Sequence, residues 1–435
     1  MITNGKTTYA IAGTGTRGLC YARTMVDSFS DVAPLVGLYD RNQTRMRSFC
    51  ESLERDIPCF TSFSEMVKQA APQVLIVCTP DQTHDEMIEL AFLHGMDVIC
   101  EKPMATTKQK VHRIFELEKQ FDRKVRVTFN LRYATYAQRL KIALQQADIG
   151  PIRSANLEWC VDRTHGAEYF RRWHRSIENS GGMLVHKSTH HFDLINWLVQ
   201  DEPVDVSANG ALLYYGKAGP LHGRNCRSCE HASACPHYLD INAGGDESMD
   251  RLRSMYVNAE HEDGYERDRC VFGEDINIHD TMSAVVNYRS GAQLAYSLCT
   301  YSPSEGYRLS LIGTRGRIEA QEYFGGLLIK GEVTSAPIRI VRGTSRDDVA
   351  LEQLDVAIDT KDHGGGDERL YQHLFEPDRP DPLGQIAGSR DGAASCLIGI
   401  AANESIQTGR RVAIDLPNEI IRRAPKHPSP VKEHA

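Results

Sequence analysis

Side chains able to move protons or hold metal ions recur in GGMLVHKSTHHFDLINWLV, residues 181–199. His186, His190 and Asp193 stand at i, i+4 and i+7, so a helix over this run presents them as one polar row. Two chemistries fit. Histidines at i and i+4 can ligate zinc, and an imidazole titrating near neutral pH can exchange protons with a substrate. The other face, with Leu184, Phe192, Leu194, Ile195, Trp197 and Leu198, is apolar enough to bury, and Gly181-Gly182 marks the turn where the helix begins. Just ahead, in EYFRRWHRSIENSGG, come Arg171, Arg172, His174 and Arg175 around Trp173, with Lys187 nearby. As a group they offer an anion pocket with an aromatic wall for a sugar face; any one arginine alone reads equally as solvated charge.

Cys226, Cys229 and Cys235 lie close together in NCRSCEHASACPHY, and Cys270 follows. Four thiolates suit a structural tetrahedral zinc, with an iron–sulfur cluster the next choice; His222, His231 or His237 could replace one of them. The spacing is less regular than two paired CxxC knuckles, and free thiols are the alternative. Other cysteines, such as Cys78 and Cys100, sit singly in apolar runs and read as reduced, small hydrophobic residues. That usage, and an N-terminus entering a strand without signal-peptide features, predict a cytoplasmic protein.

These residues must be positioned by a chain of 435 residues, 41% hydrophobic, long enough for two or three domains. A formal net charge of −8 gives no basic footprint for nucleic acid, and no apolar run is long enough to span a membrane. Up to about residue 128, strands and helices alternate (TYAIAG, APLVGLYD, VLIVCTP, DVICEKP, VRVTFN), which predicts an α/β Rossmann domain with a doubly wound parallel sheet. Residues 129–425 show longer period-2 segments (SANLEWCVDR, SANGALLYYG, MSAVVNYRSG, AQLAYSLCTYS, YRLSLIGTRGRIEAQ, PIRIVRG). They predict a second, α+β domain with a large, mostly antiparallel open sheet, through which the chain is expected to form a homo-oligomer. Residues 216–270 lack periodicity and read as an insertion needing a staple. A helix ending at Gly409 precedes a polar tail, 426–435, expected to be disordered.

Gly13-Thr14-Gly15-Thr16-Arg17-Gly18 is a GxGxxG that follows a strand and opens a helix, the arrangement that brings backbone and helix N-terminus to a pyrophosphate. Asp40 ends the next strand, where a carboxylate can accept from a ribose and repel a 2′-phosphate; NAD is therefore favoured, while Arg41 keeps NADP in play. Thr79, Pro80 and His84 in TPDQTH and Glu101, Lys102 and Pro103 in EKP fall at later strand ends, where such sheets bind ligands.

GTGTRG, TPDQTH, EKP, FNLRY at 129–133, the GG…H…D helix and IGTRGRIE together resemble the glucose–fructose oxidoreductase, inositol dehydrogenase and rhizopine-catabolism (Gfo/Idh/MocA) family over nearly the whole chain. The resemblance implies that Lys102 is the catalytic lysine and that His190 contacts the reacting hydroxyl. Arg132 and Tyr133 become candidates to orient a sugar. One position departs from the family pattern: family dehydrogenases often carry Asp four residues before that histidine, and this chain has His186.

Three functions follow. The first is an NAD-dependent oxidoreductase drawing hydride from a sugar or glycoside carbon, expected to be carbon 3. The second is a redox-neutral glycosidase similar to NAD-dependent sulfoquinovosidases, in which His186 is the extra acid/base and the arginines hold an anionic sugar. The third, a non-catalytic NAD-binding regulator, is disfavoured by the intact Lys102 and His190.

Overall fold

The computed structural model describes residues 6–325, 330–345, 347–376 and 378–417, so the polar tail lies outside the described residues. The first part runs β1 (Tyr9–Ala12), α1 (Thr16–Ser28), β2 (Leu35–Tyr39), α2 (Gln43–Leu53), β3 (Cys59–Phe60), α3 (Phe63–Ala70), β4 (Val74–Val77), α4 (His84–Leu93), β5 (Asp97–Cys100), α5 (Lys108–Phe121) and β6 (Val125–Val127). β1 and β4 are apolar throughout and almost wholly buried, as strands covered on both faces require. Six parallel strands are ordered β6-β5-β4-β1-β2-β3, the doubly wound arrangement whose strand order reverses beside β1. A short late strand, β15 (Ala387–Gly388), closes the β6 edge in antiparallel pairing.

The second part begins with α6 (Thr135–Gln146), β7 (Ile152–Asp162), α7 (Arg163–Arg171), α8 (Ile177–Ser180), α9 (Met183–His186), α10 (Ser188–Val199) and β8 (Pro203–Ala211). Beyond α11 (Glu247–Leu252) and α12 (Glu260–Asp263) come β9 (Thr281–Tyr288), β10 (Gln293–Ser302), β11 (Glu305–Gly313), β12 (Gly316–Phe324), β13 (Ser335–Arg342) and β14 (Ala350–Ala357). They are followed by α13 (Asp362–Phe375), α14 (Ser389–Thr408) and β16 (Val412–Ala413). The nine strands form one sheet, ordered β14-β13-β12-β11-β7-β10-β9-β8-β16, antiparallel except where β7 meets β10. Alternating burial along β9 to β12 reflects one face turned to the helices. YRLSLIGTRGRIEAQ is thus a hairpin of two strands, and SANGALLYYG leaves the sheet at Ala211.

The helix expected over 181–199 is two. Gly181 and Gly182 hold positive φ, α9 runs four residues, and the chain re-enters helix at Ser188. The Ser188 hydroxyl donates to the Met183 carbonyl and pairs with Tyr296 Oη, a local bond that competes with the helical ladder. His190 N–H turns to Lys187 O, which frees the His186 carbonyl. α14 presses α9 in place: at Gly399 a Cβ would meet Leu184 O at 2.1 Å, so only glycine permits the approach.

Candidate active site

One cavity of about 1020 Å³ runs from the glycine loop, past the ends of β4 and β5, to α7, α9 and α10 of the second part. At its nucleotide end, Gly13 holds φ +95° and packs so tightly that a Cβ would lie 2.6 Å from the Cys78 carbonyl carbon, so only glycine lets the turn lie against the end of β4. Asp40 is held at the end of β2 by Thr14 N–H and Oγ1–H, each at 2.8 Å, and by Asn42 N–H at 3.0 Å. Glycine cradle, helix N-terminus and oriented carboxylate together fit a dinucleotide. Gly15, Thr16, Arg41, Thr79 and Pro80 line the same space.

Arg17, Glu101 and His84 also line it, with much of their bonding directed to protein. Arg17 Nε donates to Glu101 at 2.7 Å and its two terminal nitrogens to Asp367 at 3.0 and 3.1 Å. Glu101 accepts a further bond from Tyr21 Oη; burial alone would raise this carboxyl, and the Arg17 and Lys102 charges bring it below the ordinary range. His84 faces Thr79 O and Pro103 O and so pins two strand ends together. Gly18 is buried behind the loop, in the first turn of α1.

At the reacting end, Lys102 Nζ donates to the freed His186 carbonyl at 3.2 Å. Burial lowers this lysine to about 8, with Asp81 and Glu101 opposing the shift. His186 Nδ1 lies 2.6 Å from Asp81 Oδ2, and both side chains are buried. Desolvation pushes Asp81 up and His186 down; Nδ1 is engaged by Asp81, which leaves Nε2 as the other ring nitrogen. His190 stands beside them, lowered first by burial, with Nδ1 buried and unpartnered. Lys187, Arg172, Trp173 and His174 complete this wall. Trp173 stacks on His174 at 3.8 Å, and Lys187 Nζ reaches Glu305 only at 3.9 Å. Arg172 has Glu168 and the Tyr265 hydroxyl for neighbours, and its Nε is buried without a hydrogen-bond partner among the described residues.

Five expected substrate contacts, Asp193, Arg132, Tyr133, Arg171 and Arg175, are bonded elsewhere. Asp193 points away from His186 and His190: it takes Arg132 Nε and Nη2 at 2.7 and 2.6 Å, in a buried pair that Asp391 extends. His190 and Asp193 belong to the same helix, three residues apart, and the buried Arg132 guanidinium in the turn Asn130–Tyr133 takes up the carboxylate while His190 lines the cavity. Arg132 is therefore structural here. Tyr133 packs edge-on to His373 in a secondary core. Arg171 donates to Cys226 Sγ at 3.0 Å, His237 O at 2.7 Å and Glu168, which anchors the insertion. Arg175 likewise binds Cys270 O and Asp275.

The expected metal centre is corrected by the same bonds. Cys226 Sγ accepts from Arg171 and from Leu239 N–H, and Cys270 Sγ accepts from Phe272 N–H. Among the described residues no group of three or more His, Cys, Asp or Glu side chains is placed to hold a metal ion, neither Cys226, Cys229, Cys235 and Cys270 nor the helix row. The staple is made by arginines: Arg171, Arg175 and Arg227, the last bridging Glu260 and Asp268.

Asp81 escaped the sequence reading although it lies inside TPDQTH; an Asp after Pro reads as a turn former, and its partner is 105 positions away. Tyr256, Asp263 and Tyr265, which line the nucleotide end, come from the insertion and carried no periodic signal.

A doubly wound nucleotide domain joined to an open sheet, with a lysine and two histidines between them, defines a dehydrogenase-like architecture. The chain belongs to the Gfo/Idh/MocA oxidoreductase family: residues 7–129 match its NAD-binding Rossmann fold and 141–414 its C-terminal alpha/beta domain. It is 36% identical over 410 residues to the putative oxidoreductase YteT of Bacillus subtilis, covering 87% of this chain and 91% of that one. It is 24% identical over 206 residues to inositol 2-dehydrogenase of Rhizobium meliloti, covering 47% and 58%. Among solved structures, levoglucosan dehydrogenase with NADH and levoglucosan has a TM-score of 0.64 at 15% identity, over 94% of this chain and 99% of that one. The WlbA dehydrogenase of Bordetella pertussis with NADH and UDP-GlcNAcA has a TM-score of 0.62 at 18%, over 96% and 100%. These two likenesses establish the fold. Among the described residues no helix is long and apolar enough to cross a membrane.

Proposed function

We propose that this protein is an NAD-dependent oxidoreductase that oxidises a ring hydroxyl of a sugar or glycoside, at carbon 3. The observation that carries the reading is the convergence of Lys102, His186 and His190 on the cavity that begins at the glycine loop. Sugar-type names among the relatives and neighbours support the substrate class. Bound NAD supplies the hydride acceptor. Lys102, neutral above about pH 8, takes the hydroxyl proton, directly or through His190. The His186 carbonyl holds Nζ in place. Arg172, with Lys187 beside it, suits a substrate that carries an acidic group, and Trp173 offers a stacking face.

The Asp81–His186 pair favours a second reading in the same site. An oriented imidazole is a second acid/base, and oxidation at carbon 3 acidifies the proton on carbon 2. His186 would take that proton, the aglycone would leave by elimination, water would add to the resulting double bond, and the ketone would be reduced again. Incubation with aryl glycosides separates the two. NADH accumulating without aglycone supports the oxidoreductase; aglycone without net NADH supports the redox-neutral glycosidase; neither product from a broad glycoside panel defeats both.

A further inference from the structure

The insertion between β8 and β9 does not stay with its own domain. Its residues 253–263 cross to the nucleotide domain and fasten onto the first turns of α1 and α2. Arg45 Nε donates to Met255 O at 3.2 Å, and Arg45 Nη2 to Asp263 at 2.6 Å. Asn42 Nδ2 donates to Ala259 O and Asp263, each at 2.9 Å. Glu262 accepts the N–H groups of Gln43 and Thr44, which caps α2 with a carboxylate from the other domain. Ser48 and Ser254 exchange a further hydroxyl bond. Met255 is fully buried in the core cluster that holds Tyr21 and Phe49.

Two of these attachments touch the dinucleotide cavity. Tyr256 Oη accepts the Thr16 N–H at 3.1 Å, at the start of α1, where a helix offers its backbone to a phosphate oxygen. The same oxygen would lie 3.3 Å from a Cβ at Gly15, so the hydroxyl sits directly over the glycine loop. The Tyr256 ring is 6% exposed and flanked by the Arg45 and Arg267 guanidinium groups at 5.4 and 5.8 Å, so it is fixed from both sides. Asp263 and Arg45 line the cavity with Asp40, the carboxylate at the end of β2. The glycine loop thus forms one jaw of the nucleotide site, and the insertion forms the other.

We propose that the insertion is a clasp: Tyr256, Asp263 and Arg45 hold the bound dinucleotide on the enzyme through successive turnovers. This rests on the nucleotide reading of the cavity. A dinucleotide seated between the jaws leaves only when the bonds to Thr16, Asn42, Gln43, Thr44 and Arg45 open together, so its exchange is slow compared with a site walled by one domain. Retention also implies that the oxidised and reduced forms are interconverted in place, by the same substrate later in its cycle or by a second one.

The test is NADH release. Purified protein loaded with NADH is chased with excess NAD, and the loss of bound-NADH fluorescence is followed for the native chain, Tyr256→Phe and Asp263→Asn. Tyr256→Phe removes the bond to Thr16, and Asp263→Asn removes the charge that faces Arg45 and one acceptor that Asn42 and Arg45 share; each keeps the shape of the segment, and release should accelerate about tenfold or more. Release within twofold of native in both variants overturns the clasp. So does native protein that loses its NADH during gel filtration. A measurement on the unaltered chain stands beside these: amide exchange across residues 253–263 should slow about tenfold when NADH binds, and unchanged exchange also overturns the proposal. Equilibrium dialysis separates the two readings. Absence of NADH binding removes the nucleotide reading and the clasp with it, whereas binding with unaltered release removes the clasp alone.

Discussion

Asp81, at the end of β4, and His186, at the end of α9, meet at 2.6 Å across the boundary between the two halves of the chain. Residue 186 is an imidazole, and the carboxylate that pairs with it comes from the nucleotide half of the chain. Buried and oriented in this way, His186 presents one free ring nitrogen to the cavity.

If Asp81 acts by orienting His186, Asp81→Asn and His186→Gln should each lower kcat by about 10²-fold, and the double variant should fall little further, because the two act as one unit. Steady-state kinetics of the three proteins checks this. Multiplicative losses would show that the residues act independently. Single-turnover reduction of NAD adds a finer distinction: if it persists in His186→Gln while aglycone release stops, His186 serves elimination.

If Lys102 takes the alcohol proton and the glycine loop carries the nucleotide, Lys102→Ala should lower kcat by about 10²- to 10⁴-fold and leave NADH affinity within a few-fold. The pH profile follows from the sign of the shift. Burial holds the ammonium down at about 8, the base must be neutral, and kcat/KM should therefore rise with pH through a limb near that value. Titration of kcat/KM from pH 6 to 10 tests it; a flat profile would remove Lys102 as the proton acceptor.

Asp40→Ala should weaken NAD by about tenfold or more and NADP much less, because a charged hydrogen-bond acceptor for the ribose is lost while the repulsion of a 2′-phosphate is relieved. Fluorescence titration with both reduced nucleotides gives the ratio. Equal losses would mean that Asp40 does not face the ribose.

Arg132→Met should cost about 3–5 kcal/mol of stability, because it strands Asp193 as an unpaired buried charge. In protein that remains folded, KM should stay within about twofold of native. Denaturant unfolding together with substrate saturation makes the distinction; a large KM effect without loss of stability would return Arg132 to the substrate wall.

The order of these outcomes mirrors what could be read in the chain beforehand. The nucleotide half was legible because its signals are local: apolar strands, a glycine turn, and an acidic residue at the next strand end, all set within forty residues. The large sheet was legible from its period-2 segments, although β14 and α13 went unread, being charged and glycine-rich respectively. The polar row was only partly legible. The run breaks before Ser188, whose hydroxyl bonds the Met183 carbonyl, and Asp193 is taken by Arg132 from sixty-one positions away; 3.6-residue spacing anticipates neither. The cysteine cluster misled because thiols close in sequence suggest a shared ion, whereas buried guanidinium groups of Arg171 and Arg175 already satisfy the sulfur and carbonyl atoms around them.

The bond from Lys102 to residue 186 ends on a carbonyl, not on the imidazole. A main-chain oxygen is the same whatever side chain the codon specifies. The lysine's anchorage is therefore insulated from substitution at 186, while the proton chemistry of that position is entirely a matter of its side chain. Two traits share one residue and can drift apart: a substitution at 186 changes the acid/base group that faces the cavity without removing the oxygen to which Lys102 is tied.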